Sequence, residues 1–296
     1  MNRTALAVLA AAITGILVGA AITATRYVAA DISPASLAFL RYAIGVACLL
    51  PAVAMAGRIR FARADLVPIA ALGIGQFGVL IALLNYGLRT VPAARGALIF
   101  ASFPLLTLAV AAWLGHERVT ARKICGILAT MCGVFLALSD KVLDGASIHG
   151  WSALGGELAI LASAATGAIC SVLYRPYLVR YPTLPVSAFA MLAAALALAV
   201  PAALDDLFAA PAALSRGAWA AIVFIGLSSG GGYVLWLWAL KNIAATRVTV
   251  FLALSPITAA ALGVALLGEP VTAGMMAGVV CVVMGLWLAG GERKQV

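Results

Sequence analysis

Charge is what this chain has least of. Only 10% of its 296 residues are charged, against 65% hydrophobic, and its mean hydropathy is +1.13. Soluble domains carry about 25% charged residues, so a water-soluble fold is excluded. Histidine is nearly absent: His116 and His149 lie in separate linkers with no metal-ligand spacing, which argues against a metal site. The five cysteines (Cys48, Cys125, Cys132, Cys170, Cys281) all fall in apolar stretches and form no CxxC pair, so they read as small buried hydrophobes. The few carboxylates are scattered. An integral-membrane enzyme working on lipid-linked substrates would need clustered carboxylates, histidines or metal ligands near one face. Long linkers are missing too: the longest, about 140–151, leaves no room for an extramembrane domain. Nothing calls for a cofactor, metal or prosthetic group.

What is there is apolar sequence in ten stretches: 5–25, 36–56, 67–88, 95–114, 123–139, 152–174, 185–204, 217–239, 247–267 and 272–290, numbered segments 1 to 10 below. Each is long enough to cross a hydrocarbon core of about 30 Å as a helix. They are continuous runs rather than short alternating ones, which favours helices over a β-barrel. Segment 1 is long for a signal-peptide core, and its Ala12-Ile13-Thr14-Gly15 is echoed by Ala164-Ala165-Thr166-Gly167, so it is expected to be retained.

The net charge of +9 follows the segments rather than marking a nucleic-acid partner. The side holding the N-terminus and the even-numbered linkers carries Arg3, Arg58, Arg60, Arg63, Arg118, Arg122, Lys123, Arg175, Arg180, Lys241, Arg247, Arg293 and Lys294 against Asp65, Glu117 and Glu292. The other side has Arg26, Arg41, Arg89, Arg95, Lys141 and Arg216 against seven acids. By the positive-inside rule both termini face the cytoplasm.

Residues 72–136 are matched by 224–288 at a constant offset of 152. Arg95 pairs with Arg247, Pro104 with Pro256, Glu117 with Glu269, Gly126 with Gly278 and Gly133 with Gly285. The chain therefore divides into two five-helix repeats, 1–140 and 141–296. An odd helix count forces the second to enter the membrane from the opposite side, giving inverted repeats about an axis in the membrane plane. The expected fold is all-α and integral to the membrane, with each helix packed against its counterpart. Such architecture is the mark of a secondary transporter.

Several motifs resemble a known family. Arg26-Tyr27, Asp31-Ile32-Ser33-Pro34 and Leu37-Ala38-Phe39-Leu40-Arg41-Tyr42 resemble the first loop and second helix of the drug/metabolite transporter superfamily. The doubled block from Pro104 through Glu117, Gly126 and Gly133, and from Pro256 through Glu269, Gly278 and Gly285, resembles the two EamA-type repeats of its ten-helix exporters. The likeness spans nearly the whole chain and implies export of amino acids or drugs. It departs at one point. Four-helix multidrug relatives carry a membrane-embedded glutamate in their first helix, where this chain has Thr14-Gly15 and Thr166-Gly167. The carboxylate needed for proton coupling by that route is missing.

Pro104 and Pro256 are expected near the middle of segments 4 and 9. Each would free the carbonyl four residues back, at Phe100 and Leu252. Freed carbonyls are tolerated only inside protein or beside a watery cavity, so these prolines read as kinks in site-lining helices or as packing kinks. Arg95 and Arg247 open segments 4 and 9 against the helix dipole. They either snorkel or form alternating gate pairs, Arg95–Glu269 outside and Arg247–Glu117 inside. Glu157 in segment 6 suits the helix dipole, or contacts a substrate ammonium or proton. Arg41 either snorkels or binds a substrate carboxylate. Segments 3 and 8 hold the densest polar and glycine content: Gln76, Asn85 and Tyr86 in one, Ser228, Ser229, Tyr233, Trp236 and Trp238 in the other. These read as cavity walls, with an interfacial aromatic belt as the alternative for Tyr86, Trp236 and Trp238. The glycines of segments 5 and 10 read as packing faces for each other or for a homodimer.

The expected protein is an inner-membrane exporter of small metabolites by alternating access. Its mixed lining suits amino acids, especially bulky or aromatic ones. A nucleotide-sugar or sugar-phosphate exchanger would place several basic groups deep in the cavity, whereas these sit at helix ends. A multidrug exporter shares the fold. The expected partners are a small-molecule substrate and the lipid bilayer, with no nucleic acid.

Overall fold

A computed structural model of the chain describes residues 3–28, 31–55, 60–87, 99–144, 150–205, 214–267 and 273–290. Among them there is no strand. Segment 1 is the helix Arg3–Val28, segment 2 Pro34–Met55, segment 5 Ala121–Asp144, segment 7 Thr183–Leu204, segment 8 Arg216–Asn242 and segment 10 Ala273–Gly290. Segment 6 is Gly150–Leu173, followed directly by a short helix Arg175–Arg180. Among the described residues, segments 1, 2, 3, 6, 7 and 8 contain six helices long and apolar enough to cross a membrane, and segments 4, 9 and 10 contain shorter apolar helices. Large apolar side chains such as Met55, Trp113, Val200 and Met284 point outward. Outward apolar faces of this kind are stable against lipid, not water.

Three segments are not regular helices. Segment 3 runs Arg63–Gly73, widens to a π-helical turn at Ile74–Val79, and resumes as Leu80–Gly87. Segment 4 has a turn at 101–102 and restarts as Phe103–Trp113. Segment 9 runs Ala245–Val250, tightens to a 3-10 turn at Phe251–Ala253, and restarts as Leu254–Leu267. The expectation of mid-helix proline kinks is thereby corrected. Pro104 and Pro256 each stand in the first turn of a new helix, where an absent N–H leaves no intrahelical bond unmade. Phe100 lies just before one break and Leu252 within the other. The break in segment 9 is backed by segment 1, whose Gly15 sits directly on the Phe251 carbonyl.

Segments 5 and 10 pack along each other, as do 2 and 7, and the Phe103–Trp113 and Ala245–Val250 helices of segments 4 and 9. Segments 1 and 6 instead pack mainly on other helices: 1 on 8 and 9, and 6 on 3 and 4. The expectation that every helix meets its own counterpart therefore holds for three pairs and fails for the rest. Exchange of the two halves requires only that contacts come in matched sets. Here 1 on 8 matches 6 on 3, 1 on 9 matches 6 on 4, and 2 on 8 matches 7 on 3. The glycines make the 5–10 crossing close. A Cβ on Gly133 would stand 2.7 Å from the Gly278 carbonyl oxygen, and one on Gly285 2.6 Å from that of Gly126. The contact is reciprocal, and small residues permit it.

Candidate substrate site

Segment 8 presents one face to the interior. Ser229, Tyr233 and Trp236 follow at helical spacing, so they stack along one side. Gly226 and Gly230 lie against Ile44 and Gly45, which brings segment 2 close. Opposite, the π-helical turn of segment 3 places Phe77 in the core and Gln76 beside it. Such turns widen a helix by one residue and recur at functional sites.

These elements assemble a continuous aromatic surface. The Tyr42 ring lies 4.8 Å from Phe77, Phe77 4.3 Å from Tyr233 edge-on, and Tyr233 6.2 Å from Tyr174. All four belong to one buried cluster with Trp236. Edge-to-face pairs add about 0.5–1.5 kcal/mol each beyond burial. Yet the polar tips of this cluster are not satisfied within the protein. Trp236 Nε1 and Gln76 Oε1 are buried without a hydrogen-bond partner, and among the described residues the Tyr174 and Tyr233 hydroxyls have only each other to face. Each such group costs about 1–3 kcal/mol. Arg41 borders the cluster: its guanidinium lies 5.6 Å from the Tyr42 ring, and its Nε donates to Ser229 Oγ at 2.6 Å.

The sequence-predicted residues distribute unevenly. Gln76, Ser229, Tyr233, Trp236 and Arg41 come together. Trp236 is 4% exposed and so belongs to the core, not to an interfacial belt. Ser228 Oγ donates to the Ile225 carbonyl at 3.0 Å. Trp238 and Phe100 pack partly buried against the same core, Phe100 with its ring 5.5 Å from Phe103. Tyr86 is 59% exposed and stands apart. Glu157 is half-buried on segment 6. Arg95, Glu269 and the side chain of Asn85 lie outside the described residues. Thr14 donates to the Ala10 carbonyl at 2.8 Å and the Gly232 carbonyl at 3.2 Å, tying segment 1 to segment 8.

Two charged ties stand at helix ends. Glu117 accepts from Lys123 Nζ at 3.1 Å and from the backbone N–H of Thr246 at 3.2 Å, one residue before Arg247. Asp65, at the start of segment 3, accepts from Arg180 Nη1 at 3.1 Å and from the Tyr181 hydroxyl at 2.6 Å. That hydroxyl in turn accepts from Ala62 N at 3.0 Å. Sequence reasoning singled out neither Asp65 nor the rings Tyr42, Phe77 and Tyr174. The available signals were an acid in an otherwise basic linker, and rings adjacent to Arg41 and Gln76.

An apolar all-helical body whose halves exchange contacts, around a core of orphaned polar tips, defines a membrane transporter. The EamA-like transporter family matches residues 5–139 and 154–291, and the chain belongs to that family. It is 29% identical to "Uncharacterized transporter YyaM" of Bacillus subtilis (strain 168), over 93% of this chain and 90% of that one. It is 30% identical to a "Probable terminal-alkyne amino-acid exporter" of Streptantibioticus cattleyicolor, over 79% and 76% of the two chains. A "Probable amino-acid metabolite efflux pump" of Salmonella typhimurium is 24% identical, over 73% of each. A crystal structure of a protein 23% identical superposes with a TM-score of 0.80, covering 96% of this chain and 97% of that one, which establishes the fold.

Proposed function

We propose that the protein exports small amphiphilic metabolites, amino acids with bulky or aromatic side chains foremost, across the inner membrane by alternating access. The chain acts as a carrier, not as an enzyme. Ten crossings form two inverted five-helix repeats with both termini in the cytoplasm. The observation that carries this reading is the aromatic cluster with orphaned tips, built from segments 2, 3, 6 and 8 and so from both halves. A site shared by two halves changes shape when they rock. Relatives named for amino-acid export support the substrate class. A nucleotide-sugar or sugar-phosphate exchanger fits less well, because among the described residues Arg41 is the guanidinium seen at the cluster edge.

The gates are proposed at the helix ends, with Arg95–Glu269 outside and the Glu117–Arg247 region inside. The Glu117 contact with Thr246 supports the inner one. Charge-swapped double variants should restore transport lost in the single variants. A homodimer through segments 5 and 10 would use their outer faces, because Gly133 and Gly285 serve the contact within the chain. The test of the function is purified protein in liposomes with a panel of labelled amino acids, with and without a pH gradient. Flux of at least one bulky amino acid is expected. Absence of flux for the whole panel overturns the reading.

A further inference from the structure

We propose that Arg41, oriented by Ser229, is the carboxylate anchor of the transport site, so that the protein carries carboxylates and rejects the matching amines. The inference rests on the exporter reading above.

Arg41 is seven residues into the helix Pro34–Met55, about 10 Å along it. A charged side chain deep in a bilayer disfavours insertion by about 2.5–3.5 kcal/mol, so it persists where it has a task. The fold does not require it: its repeat counterpart is Ala193, one methyl group. Its direction separates the two roles weighed from sequence. A snorkelling arginine turns its head toward the near helix end. Arg41 instead reaches inward to Ser229, midway along the 27-residue helix Arg216–Asn242.

The local chemistry leaves the right groups for a carboxylate. The Ser229 hydroxyl donates to the Ile225 carbonyl, so its oxygen is turned to accept from Arg41 Nε. That bond fixes the plane of the guanidinium. Among the described residues no carboxylate pairs with Arg41, and its Nη groups have no hydrogen-bond partner. An oriented guanidinium presents two parallel N–H donors that match the two oxygens of a carboxylate. The cluster beyond supplies the rest of a receptor for an amino acid. Tyr42, Phe77 and Tyr233 are buried against one another next to Arg41, and a bulky side chain would be received between them as the halves rock. Gln76 Oε1 is a buried acceptor without a partner, open to an ammonium, and the Tyr174 and Tyr233 hydroxyls, which face each other, keep a further lone pair for it. One bound zwitterion would satisfy groups that the protein leaves unsatisfied. Buried polar groups built to bond a ligand reject an analogue that lacks the matching group.

The test uses matched pairs in proteoliposomes: labelled phenylalanine against phenethylamine, and leucine against isoamylamine. Wild-type protein should carry each acid at least tenfold faster than its amine. Arg41→Gln should lose that ratio together with at least tenfold of the acid flux. Arg41→Lys should keep part of both, and Ser229→Ala should raise KM for the acid with little change in kcat. Amine flux equal to acid flux in wild type, or an unchanged ratio in Arg41→Gln, overturns the anchor and leaves the exporter reading standing. No flux of any compound overturns both. If Arg41→Gln does not fold, the wild-type ratio alone decides.

Discussion

The two ends of the bundle are related by the repeat but held together differently. At the end proposed to face the cytoplasm, Asp65 meets Arg180 and Tyr181. Adding or subtracting the offset of 152 carries these residues to Gly217, Val28 and Ala29. There Gly217 lies against the Tyr27 hydroxyl, 2.8 Å from where a Cβ would stand, and neither of these two residues is charged. Lys123, which pairs with Glu117, maps onto Met275. Packing follows the repeat here, while Asp65, Arg180 and Lys123 have no charged counterpart at the offset of 152. If the two ends act as the proposed gates, the Asp65 and Lys123 ties add to the closure of the inner one. Carriers need both states accessible, so such a bias must stay within a few kcal/mol.

This contrast is broken most severely at Glu117. The Lys123 and Glu117 side chains are 8% and 4% exposed, and removing one partner of a pair so buried destabilises by about 3–5 kcal/mol. Glu117→Gln should therefore lower Tm strongly in detergent. The matched contacts provide the opposite control. Gly133→Val and Gly285→Val each force a side chain into the reciprocal 5–10 crossing. Each should cost about 1–3 kcal/mol, and by similar amounts, measured by thermal unfolding. A large difference between them would show that the halves are not equivalent in packing.

Smaller effects sharpen the comparison. Arg180 is largely exposed, so its ion pair with Asp65 is discounted, and the shorter Tyr181 bond supplies most of the tie. Asp65→Asn should favour opening at the inner end by about 1–2 kcal/mol, roughly tenfold in population. Cysteine accessibility from the cytoplasmic side would read this. Gly217→Asp places a carboxylate against the Tyr27 hydroxyl and should shift accessibility the other way. Tyr27→Phe removes one exposed hydroxyl and should change stability by no more than about 0.5 kcal/mol.

The sequence made some of this legible. Repetition at a fixed offset marked the glycines of segments 5 and 10 as packing faces for each other or for a homodimer, and the structure shows the contact between the two segments. It also located the interruptions at Pro104 and Pro256, though not their form, since a proline pattern is compatible with a kink or with a restart. The pairing of segment 1 with 8 and 6 with 3 was not legible, because exchange symmetry allows any matched set of contacts. At the site, Gln76, Ser229, Tyr233 and Trp236 stood out as polar or aromatic residues among glycines. Tyr42, Phe77 and Tyr174 did not, since an aromatic in an apolar run has the same pattern whether it faces lipid or a ligand. The Asp65 tie joins residues 115 apart, and local spacing carries no trace of such contacts.

The most direct test uses Cys170, which is 5% exposed and lies with its Sγ against Gly75 of the π-helical turn. With the other four cysteines replaced by alanine, its labelling by a small membrane-permeant maleimide can be followed in proteoliposomes with and without saturating phenylalanine. The account predicts labelling as the halves rock and a several-fold change in its rate when phenylalanine occupies the aromatic cluster. No labelling, or a rate indifferent to every transported amino acid, would contradict a central site at the junction of the two halves.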